Sequence, residues 1–213
     1  MDRSTGIAFA TMFAVVAAVA YALLGHAVSH APPGALDLAG RSLAGEAPGL
    51  ATMFTTSCLF PILLAFGVIG LIVAWRLPRW RAITLTMIVT TVVAWRVSDF
   101  LKDVFQRPRP EYWIVHHETS YSYSSGHAMF ATIVYAAWAA IVWRSGLPLR
   151  VRAVISPVLG LWACGVIWSR LALGAHYITD LIGGVLLGMI ALALASIWLR
   201  AAAYKQAAAP AVR

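Results

Sequence analysis

The sequence has few charged residues and few cysteines. Of its 213 residues, 11% are charged and two are cysteines, whereas 61% are apolar. A soluble domain is about half apolar, so this composition excludes an ordinary soluble protein. Cys58 and Cys164 both lie in apolar stretches, where we expect small packing residues and no disulfide framework. The sequence also lacks internal repeats, low-complexity linkers and an appended soluble domain.

Six apolar stretches are each close to the roughly 20 residues that cross a bilayer core. They are Ile7–Leu24, Thr52–Trp75, Ala82–Phe100, Gly126–Trp143, Ala153–Trp168 and Tyr177–Leu199. Backbone groups in lipid must pair internally, so stretches of this length favour helices over barrel strands. We therefore predict an all-α polytopic membrane protein, with six transmembrane helices in one bundle and a single domain over residues 1–213. The first stretch could instead be a signal peptide cleaved near "HAVSHA", but its long apolar core and weak positive flank favour a retained helix.

The net charge of +8 would suit a nucleic-acid partner, but the placement of the cations argues against one. With six spans, ten of the 16 Lys and Arg residues fall on one side of the membrane: Arg3, Arg76, Arg79, Arg81, Arg144, Arg150, Arg152, Arg200, Lys205 and Arg213. By the positive-inside rule this side is cytoplasmic and carries both termini. We expect no nucleic-acid partner, attraction to anionic membrane lipids, and residence in a bacterial inner membrane.

Three of the outward cations stand at informative places. Lys102 and Arg109 frame the stretch "KDVFQRPRP" after the third span, and Arg170 ends the fifth. Such residues often flank spans and extend to the interface, but flanking cations belong mainly on the cytoplasmic side. Two prolines stiffen the segment that presents Arg109. Arginine suits a bidentate grip on phosphate and lysine supplies a compact charge, so these residues are candidate phosphate ligands.

The stretch "YSYSSGHAMF" leads into the fourth span. Ser124 or Ser125 is a candidate N-cap, and Gly126 allows close approach of the backbone to a ligand. The free N–H groups of the helix end attract an anion, and His127 would lie beside it. The alternative is a capped helix start with an interfacial histidine.

The stretch "SRLALGAHYITD" places His176 and Asp180 four residues apart, so on a helix they share a face. A carboxylate beside an imidazole fixes its tautomer and raises the basicity of its far nitrogen. The alternative is a structural pair that packs two helices, although ionisable residues inside a span are functional candidates by default. With six spans, all three stretches lie at the outward face, which predicts a phosphate pocket with a nucleophile and an acid.

These stretches resemble the motifs of the type-2 phosphatidic acid phosphatase superfamily, which also includes vanadium haloperoxidases. The family has Lys-x6-Arg-Pro, Pro-Ser-Gly-His and Ser-Arg-x5-His-x3-Asp. The matching residues are Lys102 with Arg109-Pro110, Ser124-Ser125-Gly126-His127, and Ser169-Arg170 with His176 and Asp180. Two motifs match completely, and the second has Ser124 where the family has proline. The six-span layout extends the likeness to nearly the whole chain.

The resemblance implies a role for each matching residue. His176 would attack phosphorus and form a phosphohistidine, and Asp180 would hold the imidazole ring. His127 would protonate the leaving oxygen and then activate water. The phosphoryl oxygens would be bound by Lys102, Arg109, Ser125, Gly126 and Arg170. Because three fixed cations can replace the magnesium of other phosphotransfer sites, we expect activity with no metal and no cofactor.

The substrate class follows from the surroundings of the pocket. The segment between Arg109 and Ser124 is too short to form a large cap, and apolar helices wall the site, so a phosphorylated lipid is favoured over a soluble ester. Candidates are phosphatidic acid, phosphatidylglycerol phosphate and undecaprenyl pyrophosphate. Two alternatives remain: a lipid phosphotransferase using the same phosphohistidine, and a non-enzymatic anion or lipid transporter. A haloperoxidase is disfavoured because those relatives are soluble. The oligomeric state is not indicated.

Three further expectations concern the outward loops. A short interfacial helix around Ala35–Leu43 should lie over the pocket mouth and influence lipid entry. Arg96 and Asp99, one turn apart, should pair structurally. Four outward residues are expected to be plain polar loop residues, with extra charge for a diphosphate as the less favoured alternative: Arg41, Arg107, His116 and His117.

Overall fold

The computed structural model describes residues 3–112 and 118–208, and every regular element within these ranges is helical. A 3-10 turn, Arg41–Leu43, follows α2, and a π-helical turn, Ala131–Ala136, joins α6 to α7. The α-helices are α1 Arg3–Ser29, α2 Ala35–Gly40, α3 Pro48–Thr56, α4 Phe60–Arg76, α5 Pro78–Phe105, α6 Gly126–Phe130, α7 Ala137–Trp143, α8 Leu149–Ala172 and α9 Ile178–Ala208. The predicted all-α architecture is confirmed.

Within the described residues, five helical segments are long and apolar enough to span a bilayer, and a bent pair of helices makes a sixth if it is counted as one span. The five are the helices α1, α5, α8 and α9 and the continuous run from α6 to α7, and the pair is α3 and α4, bent by 44°. Prediction of one unbroken helix over Thr52–Trp75 was wrong. Pro61 lies in the first turn of α4, where proline is tolerated, but its ring would clash with the preceding turn of a continuous helix.

The break between α3 and α4 is held by neighbouring helices. The hydroxyl of Tyr135 donates a hydrogen bond of 2.9 Å to the Ser57 carbonyl oxygen. The Trp162 indole N–H donates one of 3.0 Å to the Ser57 hydroxyl. These bonds satisfy polar groups that a broken helix would otherwise leave exposed to lipid.

The core of the bundle lies between α1, α5, the α6 segment and α9. Its buried side chains include Tyr21, Tyr123, Met129 and Ile133. A glycine on α9 permits close approach of α6: a Cβ at Gly184 would lie 2.4 Å from the Ser125 carbonyl oxygen. Small residues at helix interfaces of membrane proteins allow such contact, and here the contact presses the start of α6 against the start of α9.

The prediction of a short helix around Ala35–Leu43 is confirmed by α2 and the 3-10 turn that follows it, whereas its position at the membrane interface stays a prediction. This segment packs against the end of α8 and the start of α9, where Gly40 contacts Leu171 and Ile178. Asp37, on this helix, is buried. The segment therefore contacts the two helix ends that carry the third motif.

Two side-chain expectations in the spans need correction. Within the described ranges no ion pair joins Arg96 to Asp99, and the Arg96 guanidinium instead lies 6.0 Å from the centre of the Trp95 ring. Both thiols are free as expected, but only Cys58 is a buried packing residue, whereas Cys164 is exposed on the outside of the bundle.

Candidate active site

The eight predicted site residues come from four helix ends and two loops. Lys102 lies in the last turn of α5, Ser125 caps α6, and Arg170 lies in the last turn of α8. His176 is in the short loop before α9, and Asp180 is in the first turn of that helix. Contacts described below connect these ends, so the three motifs meet at one end of the bundle.

His176 is buried between a cation and a carboxylate. Its Nε2 is 3.1 Å from Arg109 Nη1, and its Nδ1 is 3.4 Å from Asp180 Oδ2 and 3.4 Å from Ser122 Oγ. Burial, with Arg109 and Arg170 nearby, lowers the pKa of His176 well below its usual range. The ring is therefore neutral at neutral pH, and Nε2 is the nitrogen that faces the cations.

The loop that carries His176 depends on a glycine. Gly174 has a φ of +65°, and a Cβ there would lie 2.2 Å from the Tyr112 carbonyl oxygen. Only glycine adopts this left-handed conformation and allows this close approach without strain. Arg109 Nη1 also donates to the Ala175 carbonyl oxygen at 2.9 Å. The loop and the arginine are thus fixed relative to each other.

Glu118 connects the two arginines that sequence analysis assigned to phosphate. Arg109 Nη2 lies 2.6 Å from Glu118 Oε2, and Arg170 Nη2 contacts Glu118 Oε1. Burial alone would raise the pKa of Glu118, but Arg170 and Arg109 outweigh it and lower the pKa to about 2. An anionic group is therefore held by both guanidinium groups.

Ser120 completes the cationic side of the site. The Arg109 Nε donates to the Ser120 carbonyl oxygen at 2.6 Å, and Lys102 Nζ donates to the Ser120 hydroxyl at 3.4 Å. Arg170 is anchored from the opposite side, because its Nη1 donates to Thr55 Oγ1 at 2.6 Å. The three cations are thus oriented by neighbouring polar groups, as preorganised charge stabilisation requires.

The start of α6 is capped by Ser125 and not by Ser124. Ser125 Oγ accepts a hydrogen bond of 3.4 Å from the Ala128 N–H, and the Ser125 N–H donates to the Asp180 carbonyl oxygen at 3.0 Å. The Ser124 hydroxyl instead lies 3.1 Å from that of Tyr21. A Cβ at Gly126 would meet no atom within 4 Å, so the first turn of α6 borders open space.

His127 follows directly in this first turn. Its Nε2 is buried and has no hydrogen-bond partner among residues 3–112 and 118–208. The ring lies close enough to Arg170 and Glu118 to interact electrostatically with both. A buried polar atom without a partner is uncommon in proteins, and such an atom beside the cations can bind a ligand.

Arg107 is not a plain polar loop residue, and that prediction was wrong. It is buried, its Nη1 lies 2.5 Å from Asp180 Oδ1, and its Nη2 lies 2.7 Å from Asp37 Oδ2. A buried carboxylate needs a cation or several donors, and two such acids surround this arginine. His116 and His117 lie outside the described residues.

Sequence reasoning also missed Glu118, Asp37 and Ser122. Ser122 Oγ donates to Asp180 Oδ2, the same oxygen that faces His176. The available signal was the small number of acids: the sequence has only eight Asp and Glu residues, and each would need a cation if buried. That signal names candidate acids but not their partners.

Two apolar clefts open on the flanks of the bundle, with volumes of about 500 Å³ and 310 Å³. The smaller one lies between α4, α5 and the α6–α7 run, and its lining includes Cys58, Trp95 and Phe130. Neither cleft is lined by a charged residue. The charged cluster itself is therefore a separate feature, at the end of the bundle.

Comparison with known proteins agrees with this arrangement. Residues 79–204 match the family described as the PAP2 superfamily, a region that contains all eight site residues. The chain belongs to the PAP2 superfamily. The predictions of this family and of a membrane hydrolase acting on lipid phosphates are confirmed.

Relatives of this PAP2 protein include two curated phosphatidylglycerophosphatases B. The Bacillus subtilis protein is 28% identical over 144 residues, which cover 67% of this chain and 68% of the relative. The Escherichia coli K12 protein is 38% identical over 92 residues, which cover 42% of this chain and only 34% of the relative. A K12 protein provisionally named undecaprenyl-diphosphatase YbjG is 30% identical over 140 residues, covering 62% of this chain and 64% of its own length.

The fold has a solved counterpart. The crystal structure of the transmembrane PAP2 type phosphatidylglycerolphosphate phosphatase from Bacillus subtilis superimposes with a TM-score of 0.70 at 24% identity. The match covers 94% of this chain and 98% of that one. This PAP2 protein therefore has the transmembrane PAP2 fold and is an integral membrane protein.

Proposed function

We propose that this PAP2 protein releases phosphate from a lipid phosphate through a phosphohistidine, without a metal ion. The observation that carries the proposal is the 3.1 Å contact between His176 Nε2 and Arg109 Nη1. The same arginine shares an anion, the Glu118 carboxylate, with Arg170. A phosphoryl group bound to these two arginines would lie next to the nitrogen that attacks it.

In the first step, His176 Nε2 attacks phosphorus and the bond from phosphorus to the ester oxygen breaks. Asp180, 3.4 Å from Nδ1, stabilises the positive charge that develops on the ring. His127 donates a proton to the leaving oxygen, and its partnerless Nε2 supports this role. Lys102, Arg109 and Arg170 stabilise the phosphoryl oxygens, with the Ser125 hydroxyl and the Gly126 N–H as further donors.

In the second step, His127 takes a proton from a water molecule, which attacks the phosphohistidine. The bond from phosphorus to Nε2 breaks, its electron pair returns to Nε2 of His176, and inorganic phosphate leaves. Splitting the reaction in this way suits a histidine activated by a carboxylate. Charge stabilisation comes entirely from fixed side chains and backbone donors, so no metal ion is needed.

The charge of the site favours a single phosphoryl group. Arg107 is taken by two carboxylates, and Arg41 lies 5.3 Å from the centre of the Tyr112 ring. Among the described residues, this leaves three cations around Glu118. We therefore favour phosphatidylglycerol phosphate, as in the names of the curated relatives, with phosphatidic acid next and undecaprenyl pyrophosphate less favoured.

The membrane arrangement completes the proposal. Residues 1–213 form one catalytic domain of a bacterial inner membrane protein, with cytoplasmic termini and the site at the periplasmic face. The lipid chains would lie against the apolar sides of the bundle, where the 310 Å³ cleft is lined by Phe130, one turn from His127. Access from the bilayer would favour lipid esters over soluble ones.

The test is phosphate release from purified phosphatidylglycerol phosphate, phosphatidic acid and undecaprenyl pyrophosphate in detergent micelles. His176→Ala should lose at least about 10³-fold in kcat. His30→Ala, at an exposed histidine that follows the end of α1, serves as the matched control and should keep full activity. Wild-type turnover should persist in a chelator. Loss of turnover that magnesium restores would contradict metal independence.

The alternatives give different results in the same assay. A phosphotransferase would turn over only when a lipid acceptor is supplied and would place the phosphoryl group on that acceptor, so release of inorganic phosphate without an acceptor would exclude it. A transporter would keep its function in His176→Ala. Labelled enzyme trapped during turnover should carry phosphate that is stable in alkali and labile in acid, as phosphohistidine is, and its absence would count against the covalent step.

A further inference from the structure

A buried chain of charged groups runs from α2 to the catalytic carboxylate. Asp37 Oδ2 lies 2.7 Å from Arg107 Nη2, and Arg107 Nη1 lies 2.5 Å from Asp180 Oδ1. The side chains of these three residues are at most 3% exposed. This chain of charged groups therefore joins α2 to Asp180, the carboxylate beside His176, and is buried along its length.

Asp37 also caps the helix that carries Asp180. Its Oδ1 accepts from the Thr179 N–H at 3.0 Å and from the Thr179 hydroxyl at 2.7 Å. Thr179 is in the first turn of α9, where free N–H groups and the helix dipole favour a carboxylate. Arg107 Nη1 donates to the same hydroxyl at 2.7 Å. One aspartate thus fixes both the helix start and the arginine.

The two oxygens of Asp180 have separate tasks in this arrangement. Oδ1 accepts from Arg107, whereas Oδ2 accepts from the Ser122 hydroxyl and from the Tyr177 N–H at 2.9 Å and faces His176 Nδ1. If Arg107 moved away, Oδ1 would lose its cationic partner, and only the two donors to Oδ2 would hold the carboxylate. Its orientation toward the histidine therefore depends on an arginine that Asp37 holds from the other side.

We infer that Asp37 and Arg107 are positioning residues for the proposed phosphohistidine reaction, acting through Asp180 on His176. The inference rests on the proposed function and adds a task to α2, which sequence analysis connected only with lipid entry. Two carboxylates around one guanidinium leave a net negative charge behind the histidine. That charge stabilises the ring while it carries the phosphoryl group.

The experiment compares Asp37→Asn and Asp37→Glu with Asp103→Asn, which alters an exposed aspartate near the end of α5 and serves as the matched control. Turnover is measured on p-nitrophenyl phosphate and on phosphatidylglycerol phosphate. Each rate is divided by the number of sites that bind the phosphate analogue orthovanadate. This normalisation removes any loss of folded protein. If Asp37→Asn binds no orthovanadate, Thr179→Val, which removes one of the hydrogen bonds to Asp37, is measured in its place.

We expect Asp37→Asn to lower kcat about 10-fold or more on both substrates, the scale on which partners that orient an active ligand act. KM for p-nitrophenyl phosphate should stay within about two-fold because the phosphate ligands are untouched. Asp37→Glu should recover part of kcat, and Asp103→Asn should match the wild type. Adding Arg107→Lys to Asp37→Asn should cost little beyond the larger single effect, since both act through Asp180.

Three results would overturn the inference. The first is an unchanged kcat per orthovanadate-binding site, which would show that the contacts of Asp37, Arg107 and Asp180 have only a structural role. The second is a loss confined to the lipid substrate, which would make α2 a guide for lipid entry. The third is full additivity of the two substitutions. A wild-type protein that releases no phosphate would instead refute the proposed function, so the two failures are distinct.

Discussion

Replacing Glu118 with glutamine tests whether this carboxylate competes with substrate phosphate. In the structure Glu118 Oε2 lies 2.6 Å from Arg109 Nη2, and Oε1 contacts Arg170 Nη2. The proposed substrate binds the same two guanidinium groups, so it must first displace this side chain. Glutamine keeps the size and shape but removes the charge.

The expected gain follows from the bonds that change. Hydrogen bonds to charged groups contribute about 1.5–3 kcal/mol and neutral ones about 0.5–1.5 kcal/mol, so each of the two bonds weakens by about 1 kcal/mol. Because the Glu118 side chain is 34% exposed, solvent screening reduces the total to about 1–2 kcal/mol. Glu118→Gln should therefore bind orthovanadate roughly 5- to 30-fold more tightly.

The assay is competitive inhibition of p-nitrophenyl phosphate hydrolysis by orthovanadate. Glu111→Gln is the matched control because Glu111 belongs to the same connection between α5 and α6 and is exposed. It should leave the inhibition constant unchanged. An unchanged or weaker inhibition in Glu118→Gln would refute the competition, and would show that Glu118 orients the arginines for substrate.

The pH dependence of this effect has a definite sign. Arg170 and Arg109 overcome the effect of burial and lower the pKa of Glu118 to about 2. A depressed carboxyl pKa means that the pairing is fully present above the ordinary glutamate pKa and is lost only as the pH falls through about 2. Mild acidification of the wild type, to about pH 5, should therefore not reproduce the tight inhibition of Glu118→Gln.

Two further substitutions test the acid and the packing of the site. His127→Ala should lower kcat/KM about 10²-fold more for phosphatidylglycerol phosphate than for p-nitrophenyl phosphate, because only the lipid alcohol needs a proton to leave. Equal losses would contradict its role as the acid. Gly184→Ala should reduce the thermal unfolding temperature and the activity, since the new Cβ would lie 2.4 Å from the Ser125 carbonyl oxygen. Gly67→Ala, where a Cβ meets no atom within 4 Å, is its control, and equal effects of the two would contradict the packing argument.

The positions of the apolar segments were predictable because they depend on apolar length, which a sequence displays directly. The bend between α3 and α4 was not, because continuous apolarity does not report whether a helix is continuous. Pro61 is equally compatible with the first turn of a helix and with a kink in a longer one. The side-chain contacts at Ser57 that hold the break come from Tyr135 and Trp162, distant in sequence.

The candidate site also has a part that the sequence predicts and a part that it does not. The spacing of His176 and Asp180 predicts their proximity, because they are four residues apart at a helix start. Asp37 is 70 residues from Arg107 and 142 from Thr179, and no local pattern connects them. Arg107 therefore looked like an ordinary loop residue until the fold brought two buried carboxylates to it.

The acids that sequence analysis did not place explain why so many cations can share one end of the bundle. Arg107 lies behind the histidine and is neutralised by Asp37 and Asp180, so the Nδ1 side of His176 has an excess of negative charge. In front, Arg109 and Arg170 share the single carboxylate of Glu118, so the Nε2 side has an excess of positive charge. In the proposed reaction, a phosphoryl group entering in front would replace Glu118 and would add negative charge on the side where the cations stabilise it. The positive charge that the His176 ring would acquire on attack would be stabilised by the carboxylates behind it. The two sides of the site would therefore stabilise the opposite charges that develop at the two ends of the forming bond between phosphorus and Nε2.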